Sequence, residues 1–134
     1  MDIKTLTASL SVAGQIAAAD LPDIARAGFR ALICNRTDGE AADQPGFSEI
    51  ERAARSAGLE VRYLPAESGK VSDEQGAAFG TLMDELPKPV LAYCRSGMRS
   101  ATMWALSQSG KIPLPEIIET GAKAGYDLRP LVRR

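Results

Sequence analysis

Histidine occurs at none of the 134 positions of this chain. Its absence excludes every Cys-His or Ser-His-Asp mechanism. It also removes the commonest transition-metal ligand. Cysteine is almost as scarce: Cys34 and Cys94 stand alone, with no C-x-x-C pair from which a zinc site could start. Neither a metal nor a cofactor is expected. An excess of one charge is missing too, and the net charge of −1 gives no electrostatic basis for binding nucleic acid or an anionic membrane. No apolar run approaches the roughly 20 residues of a membrane span, and the opening Met1-Asp2-Ile3-Lys4 lacks the basic and apolar regions of a secretion signal. A chain of this length can build a core without bridges, so two cysteines point to free thiols in a reducing compartment. The cytoplasm is the expected location. With no repeat, low-complexity tract or linker, residues 1–134 are expected to form one domain.

What is present reads as alternating helices and strands. Asp20-Leu21-Pro22 has the form of a helix start with proline in the first turn, and Gly28 closes that helix. Residues 29–35 (FRALICN) make a buried-strand candidate, followed by a turn-rich stretch with Asp38-Gly39 at its tightest point. Phe47, Ile50, Ala54 and Ala57 recur at helical spacing up to Gly58. Residues 59–64 (LEVRYL) alternate like a strand, and Ser72 to Gln75 spell a capping box ahead of the apolar stripe Phe79, Leu82, Met83, Leu86. Residues 89–93 (PVLAY) form another strand. Helices are expected over 101–109, with Trp104 packed in the core, and over 115–124. This alternation predicts an α/β fold with a central, mainly parallel sheet flanked by helices, in which ligands bind at the carboxyl ends of strands.

Cys94 stands at such an end, in Cys94-Arg95-Ser96-Gly97-Met98-Arg99-Ser100. A strand running into the cysteine and a helix starting about six residues on force the intervening N–H groups inward, with Gly97 supplying a conformation that other residues resist. Inward amides and a helix N-terminus form an anion site. Arg99 can hold two oxygens at once, and Arg95 can bind an anionic donor. Met98 forms an apolar rim, while Ser100 can donate to the sulfur or cap the helix. In such a setting a thiol of pKa ~8.5 falls to ~3.5–7.5, so Cys94 is expected to be a nucleophile that needs no histidine. The competing reading is a structural cysteine in a strand-turn-helix.

The residues 94–100 resemble the cysteine loop of the protein tyrosine phosphatase and rhodanese groups. Phosphatases place five residues between cysteine and arginine. Here four separate Cys94 from Arg99, as in single-domain rhodaneses, and Tyr93 stands where phosphatases usually carry histidine. Over a longer span, 33–40 (ICNRTDGE), 44–47 (QPGF), 63–69 (YLPAESG), 91–108 (LAYCRSGMRSATMWALSQ) and 121–128 (GAKAGYDL) are similar to the DUF442 family. That family is the phosphatase-like domain of beta-lactamase-hydrolase-like proteins, also described as a rhodanese-like sulfur transferase. The resemblance implies a protein tyrosine phosphatase-like (dual-specificity phosphatase-like) fold with a rhodanese-length loop. It also implies, as a partner, a persulfide-oxidising metallo-hydrolase of the kind fused to some relatives.

The favoured activity is sulfur transfer. Cys94 would become a persulfide at the expense of a donor such as thiosulfate and pass the sulfur to a thiol or cyanide. Sulfite leaves without a proton, whereas ester cleavage needs a general acid. The alternative is a phosphatase-like hydrolase using Cys94 as nucleophile and Arg99 as phosphate binder, with Glu67 as a candidate acid against its reading as a solvated surface residue. A non-catalytic anion-binding module is the third possibility. In each case the partner is a small anion: thiosulfate, a persulfide or a phosphate ester. Arg36 and Asp38, just beyond a strand, are candidates to buttress the loop or touch substrate, unless Asp38 only closes its own turn. Cys34 is a candidate resolving thiol, against the plainer reading of a core side chain.

Overall fold

The computed structural model describes residues 1–133. Its sheet has five strands: β1 (Ile3–Thr5), β2 (Leu10–Ala13), β3 (Ala31–Arg36), β4 (Glu60–Ala66) and β5 (Val90–Tyr93). They lie in the order β1-β2-β5-β3-β4, with only the β1/β2 edge antiparallel. The helices are α1 (Leu21–Arg26), α2 (Phe47–Ser56), α3 (Asp73–Glu85), α4 (Met98–Ser107) and α5 (Leu114–Lys123), with short 3-10 turns at Ala18–Asp20 and Arg129–Arg133. The expected mainly parallel α/β architecture is the one observed.

Strand residues alternate between two cores. Ala31 and Ile33 of β3 and Val90 and Ala92 of β5 face Phe79, Met103 and Ile117 of α3, α4 and α5. Leu32, Cys34, Leu91 and Tyr93 face Leu21, Ile24, Ile50 and Ala54 of α1 and α2. Both faces of β3 and β5 are covered, which is why these strands read as unbroken apolar runs. Each large side chain buried this way contributes about 1.5–3 kcal/mol.

Three local features differ from expectation. The β1/β2 hairpin is an addition to the expected elements; three- and four-residue strands carry little pattern, and the turn depends on Thr7 Oγ1 accepting the N–H groups of Ser9 and Leu10. Asp20 does not cap α1. Its carboxylate reaches back to the Ala17 N–H at 2.8 Å and closes the preceding 3-10 turn. Helix α4 begins at Met98 rather than Ala101, because Gly97 at φ +94° turns the chain straight into the helix and its carbonyl accepts the Ala101 N–H at 2.9 Å. The Ser72–Gln75 capping box forms in both directions, as its sequence implies. Among the described residues, no helix is long and apolar enough to cross a membrane.

Candidate active site

Because β2, β5 and β3 run parallel, their carboxyl ends share one edge, and the loop 94–97 curls over it. Cys94 directly follows β5 and donates its N–H to Ala13 O at 3.3 Å. Its Sγ accepts the Gly97 N–H at 3.1 Å. This is an amide of the turn that opens α4, so the sulfur lies at the positive end of the helix. The N–H groups of Arg95, Ser96, Arg99 and Ser100 meet no protein acceptor among the described residues. Together with the Arg99 guanidinium they form the donor set an anion needs. Arg95 and Ser96 are exposed, whereas Cys94, Gly97, Arg99 and Ser100 are buried.

Arg99 does not wave free. Glu40 receives it in a two-pronged pair, Nη1–Oε2 at 2.5 Å and Nη2–Oε1 at 2.8 Å, and Nη1 also donates to Ala66 O at 2.8 Å. Arg36, the last residue of β3, donates its Nε to the same Glu40 at 3.1 Å and its Nη1 to Gln15 Oε1 at 2.9 Å. Both guanidinium side chains are only 6% exposed, so one carboxylate is shared by two buried cations. Chiefly through the Arg99 bonds, the Glu40 carboxyl is held down at about 2. Glu40 in turn raises Arg99, and the Cys94 sulfur adds to that effect. Arg36 therefore reaches the loop through Glu40, as a buttress.

The remaining predicted residues lie in different settings. Asp38 faces away: its Oδ1 accepts the Phe47 N–H at 2.8 Å, closing the start of α2, and its own N–H donates to the Tyr63 hydroxyl at 3.0 Å. It closes a tertiary turn, and no hydrogen bond joins it to the loop among the described residues. Ser100 neither meets the sulfur nor caps α4. With the helix starting three residues early, it points inward and donates to Asn35 Oδ1 at 2.8 Å. Glu67 is solvated, 70% exposed and paired with Lys70. Met98 and Arg99, with Arg95 and Ser96, line a cleft of about 360 Å³, whose far wall is Val71, Leu128 and Leu131.

Glu40, Gln15 and Tyr126 belong to the site but carry no local motif that marks them in the sequence. Glu40 and Tyr126 stand in stretches carrying the family resemblance, 33–40 and 121–128, and that is the only signal for them. No metal-holding group of three or more acidic or cysteine side chains exists among the described residues.

This architecture is that of the protein tyrosine phosphatase-like class. Tk-PTP in its active form superposes with a TM-score of 0.75 at 24% identity, over 92% of this chain and 84% of that one, a likeness of fold alone. A candidate phosphatase from Neisseria meningitidis shares 32% identity with a TM-score of 0.90, over 100% of this chain and 96% of that one. Residues 2–111 match the family described as "Beta-lactamase hydrolase-like protein, phosphatase-like domain", and the chain belongs to that family. The beta-lactamase hydrolase-like protein of Agrobacterium fabrum is 34% identical over 121 residues, which are 89% of this chain and 28% of that relative. The chain thus spans less than a third of that curated relative. The family match and the Neisseria relative support the phosphatase-like alternative and give no support to sulfur transfer.

Proposed function

We propose that the chain is a phosphatase-like hydrolase of small phosphate monoesters, with Cys94 as nucleophile. The observation that carries this reading is the Gly97 N–H aimed at Cys94 Sγ beside the start of α4. An amide donor, a helix N-terminus and a guanidinium stabilise a thiolate without a histidine. The phosphoryl oxygens would take the unpaired loop amides and the outer edge of Arg99, whose inner edge Glu40 keeps in place. The thiolate attacks phosphorus, the ester P–O bond breaks, and the phosphoryl group passes to sulfur. Water then attacks phosphorus, the S–P bond breaks, and phosphate leaves as the thiolate returns.

Among the described residues, Asp127 is the one carboxyl that lines the cleft, and it is a poor proton donor. Glu67 points into solvent with Lys70, and the Asp127 carboxyl, on the cleft wall, is held at about 2 by Arg129. Leaving groups that depart as weak bases are therefore favoured, and aryl phosphates should turn over faster than alkyl phosphates. Purified protein should release phosphate from an aryl phosphate, and Cys94→Ser should abolish this. Turnover that survives in Cys94→Ser rejects the reading.

One observation keeps sulfur transfer as a second reading: the four-residue gap between Cys94 and Arg99, beside a cleft whose carboxyl, Asp127, is a poor proton donor. Sulfite, expelled from thiosulfate, needs no proton. A gain of about 32 Da on Cys94 after thiosulfate treatment, the mass of one sulfur atom, together with no phosphate release from aryl phosphate, would favour this reading over hydrolysis.

A further inference from the structure

Two successive carbonyls of the cysteine loop are held from outside it. The Arg95 carbonyl accepts the Gln15 N–H at 3.2 Å, and Gly14 leaves room for it, since a Cβ there would lie 2.9 Å from the same oxygen. The Ser96 carbonyl accepts the Tyr126 hydroxyl at 3.1 Å. In a trans peptide the C=O and N–H point in opposite directions. The Ser96 carbonyl and the Gly97 N–H belong to one such unit. Fixing the oxygen outward on Tyr126 therefore turns the N–H inward, where it meets Cys94 Sγ at 3.1 Å.

Gly97 serves this contact twice. Its φ of +94° is left-handed, and a Cβ would stand 2.1 Å from the Tyr126 hydroxyl oxygen and 2.9 Å from the ring carbon bearing it. The phenol thus occupies the space that any other residue would fill. Tyr126 lies after α5, outside residues 2–111 that match the family. Burial raises its hydroxyl above the ordinary value, and the Cys94 charge adds to this, so it remains a donor at neutral pH.

We propose that Tyr126 is a positioning residue: its hydroxyl holds the Ser96–Gly97 peptide in the orientation that delivers the Gly97 N–H to the Cys94 sulfur. This rests on Cys94 being the nucleophile and holds for either reaction above. Without the hydroxyl, the peptide can rotate cheaply about its glycine dihedral. A flipped unit would turn the Ser96 carbonyl towards the sulfur, replacing a donor with a repelling acceptor. Among the described residues, Arg99 on α4 and Cys34 on β3 also interact electrostatically with the sulfur, and neither changes in Tyr126→Phe.

The test is the pH profile of Cys94 alkylation by iodoacetamide, mapped by mass spectrometry, in wild type and Tyr126→Phe, alongside aryl phosphate turnover. The loss of one oriented hydrogen bond to a charged group should move the profile up by roughly one pH unit and lower turnover roughly five- to tenfold. A purely structural tyrosine would leave the profile in place, because phenylalanine keeps the ring. Gly97→Ala approaches the same contact from the other side by evicting the phenol, and should move the profile in the same direction. Coincident profiles in wild type and either variant overturn the proposal. Turnover retained in Cys94→Ser would instead overturn the hydrolase reading, so the two failures are distinguishable.

Discussion

Cys34 and Cys94 are close neighbours in different surroundings. In the parallel pairing of β3 and β5, Cys34 lies opposite Tyr93, one residue before Cys94. Both are almost fully buried, at 3% and 1% exposure. The Cys34 thiol donates to the Arg36 carbonyl at 3.4 Å, and burial pushes it up to about 11. The Cys94 sulfur accepts an amide at the head of a ten-residue helix, with a guanidinium beside it. Burial alone therefore does not distinguish the two sulfurs. Their partners do: the Cys34 thiol meets a backbone carbonyl within the α1/α2 core, whereas the Cys94 sulfur meets the Gly97 N–H at the start of α4.

The largest effect is expected from Cys94→Ser, which should reduce turnover at least about 1,000-fold, the scale seen when a covalent nucleophile is removed. The comparison breaks if iodoacetamide at neutral pH labels Cys34 ahead of Cys94 in the wild type. Arg99→Lys comes next. Lysine cannot span both Glu40 oxygens and a substrate anion, so kcat/KM should fall roughly 10- to 100-fold in steady-state assays.

Glu40→Gln should act more mildly at neutral pH, lowering kcat/KM a few-fold as Arg99 loses its charged anchor. It has a second signature in acid. The Glu40 carboxyl falls from an ordinary 4.5 to about 2 on folding. Between those values the unfolded chain binds more protons, so stability rises with pH through that window. The contribution is complete above 4.5 and is lost as the pH falls through about 2. Denaturant midpoints should therefore drop less between about pH 5 and pH 3 in the variant than in wild type. An unchanged slope would mean that Glu40 is not the shared counter-ion of Arg36 and Arg99. Smallest of all, Cys34→Ser should leave turnover within about twofold, since the side chain belongs to the α1/α2 core.

Much of the frame is legible in the amino-acid sequence. Strands β3 and β5 declare themselves because both faces are covered, and the capping box at Ser72 sets the start of α3. The β1/β2 hairpin has no such pattern, since its register depends on Thr7 and on pairing with a strand 80 residues away, Leu10 against Val90. The role of Ser100 escapes the sequence for a related reason. Once Gly97 starts the helix early, a cap candidate becomes an inward-facing partner of Asn35, itself bonded to Leu64 O and Met103 Sδ. Asp38 is drawn off in the same way by the Phe47 amide.

By itself, the sequence determined the nearby geometry of Cys94: a strand before it, a glycine three residues on, an arginine two residues further, and no histidine to assist. These follow from spacings of a few residues, where backbone preference is set by the residues themselves. Only the tertiary structure decided which groups hold that loop in shape. Glu40 meets Arg99 across 59 residues, Tyr126 meets the Ser96 carbonyl across 30, and the Gln15 N–H meets the Arg95 carbonyl from the end of β2. Each contact depends on where a separate segment arrives after the sheet has closed. Residue spacing along the chain does not encode such meetings, because each requires the packed sheet edge to bring its partners together.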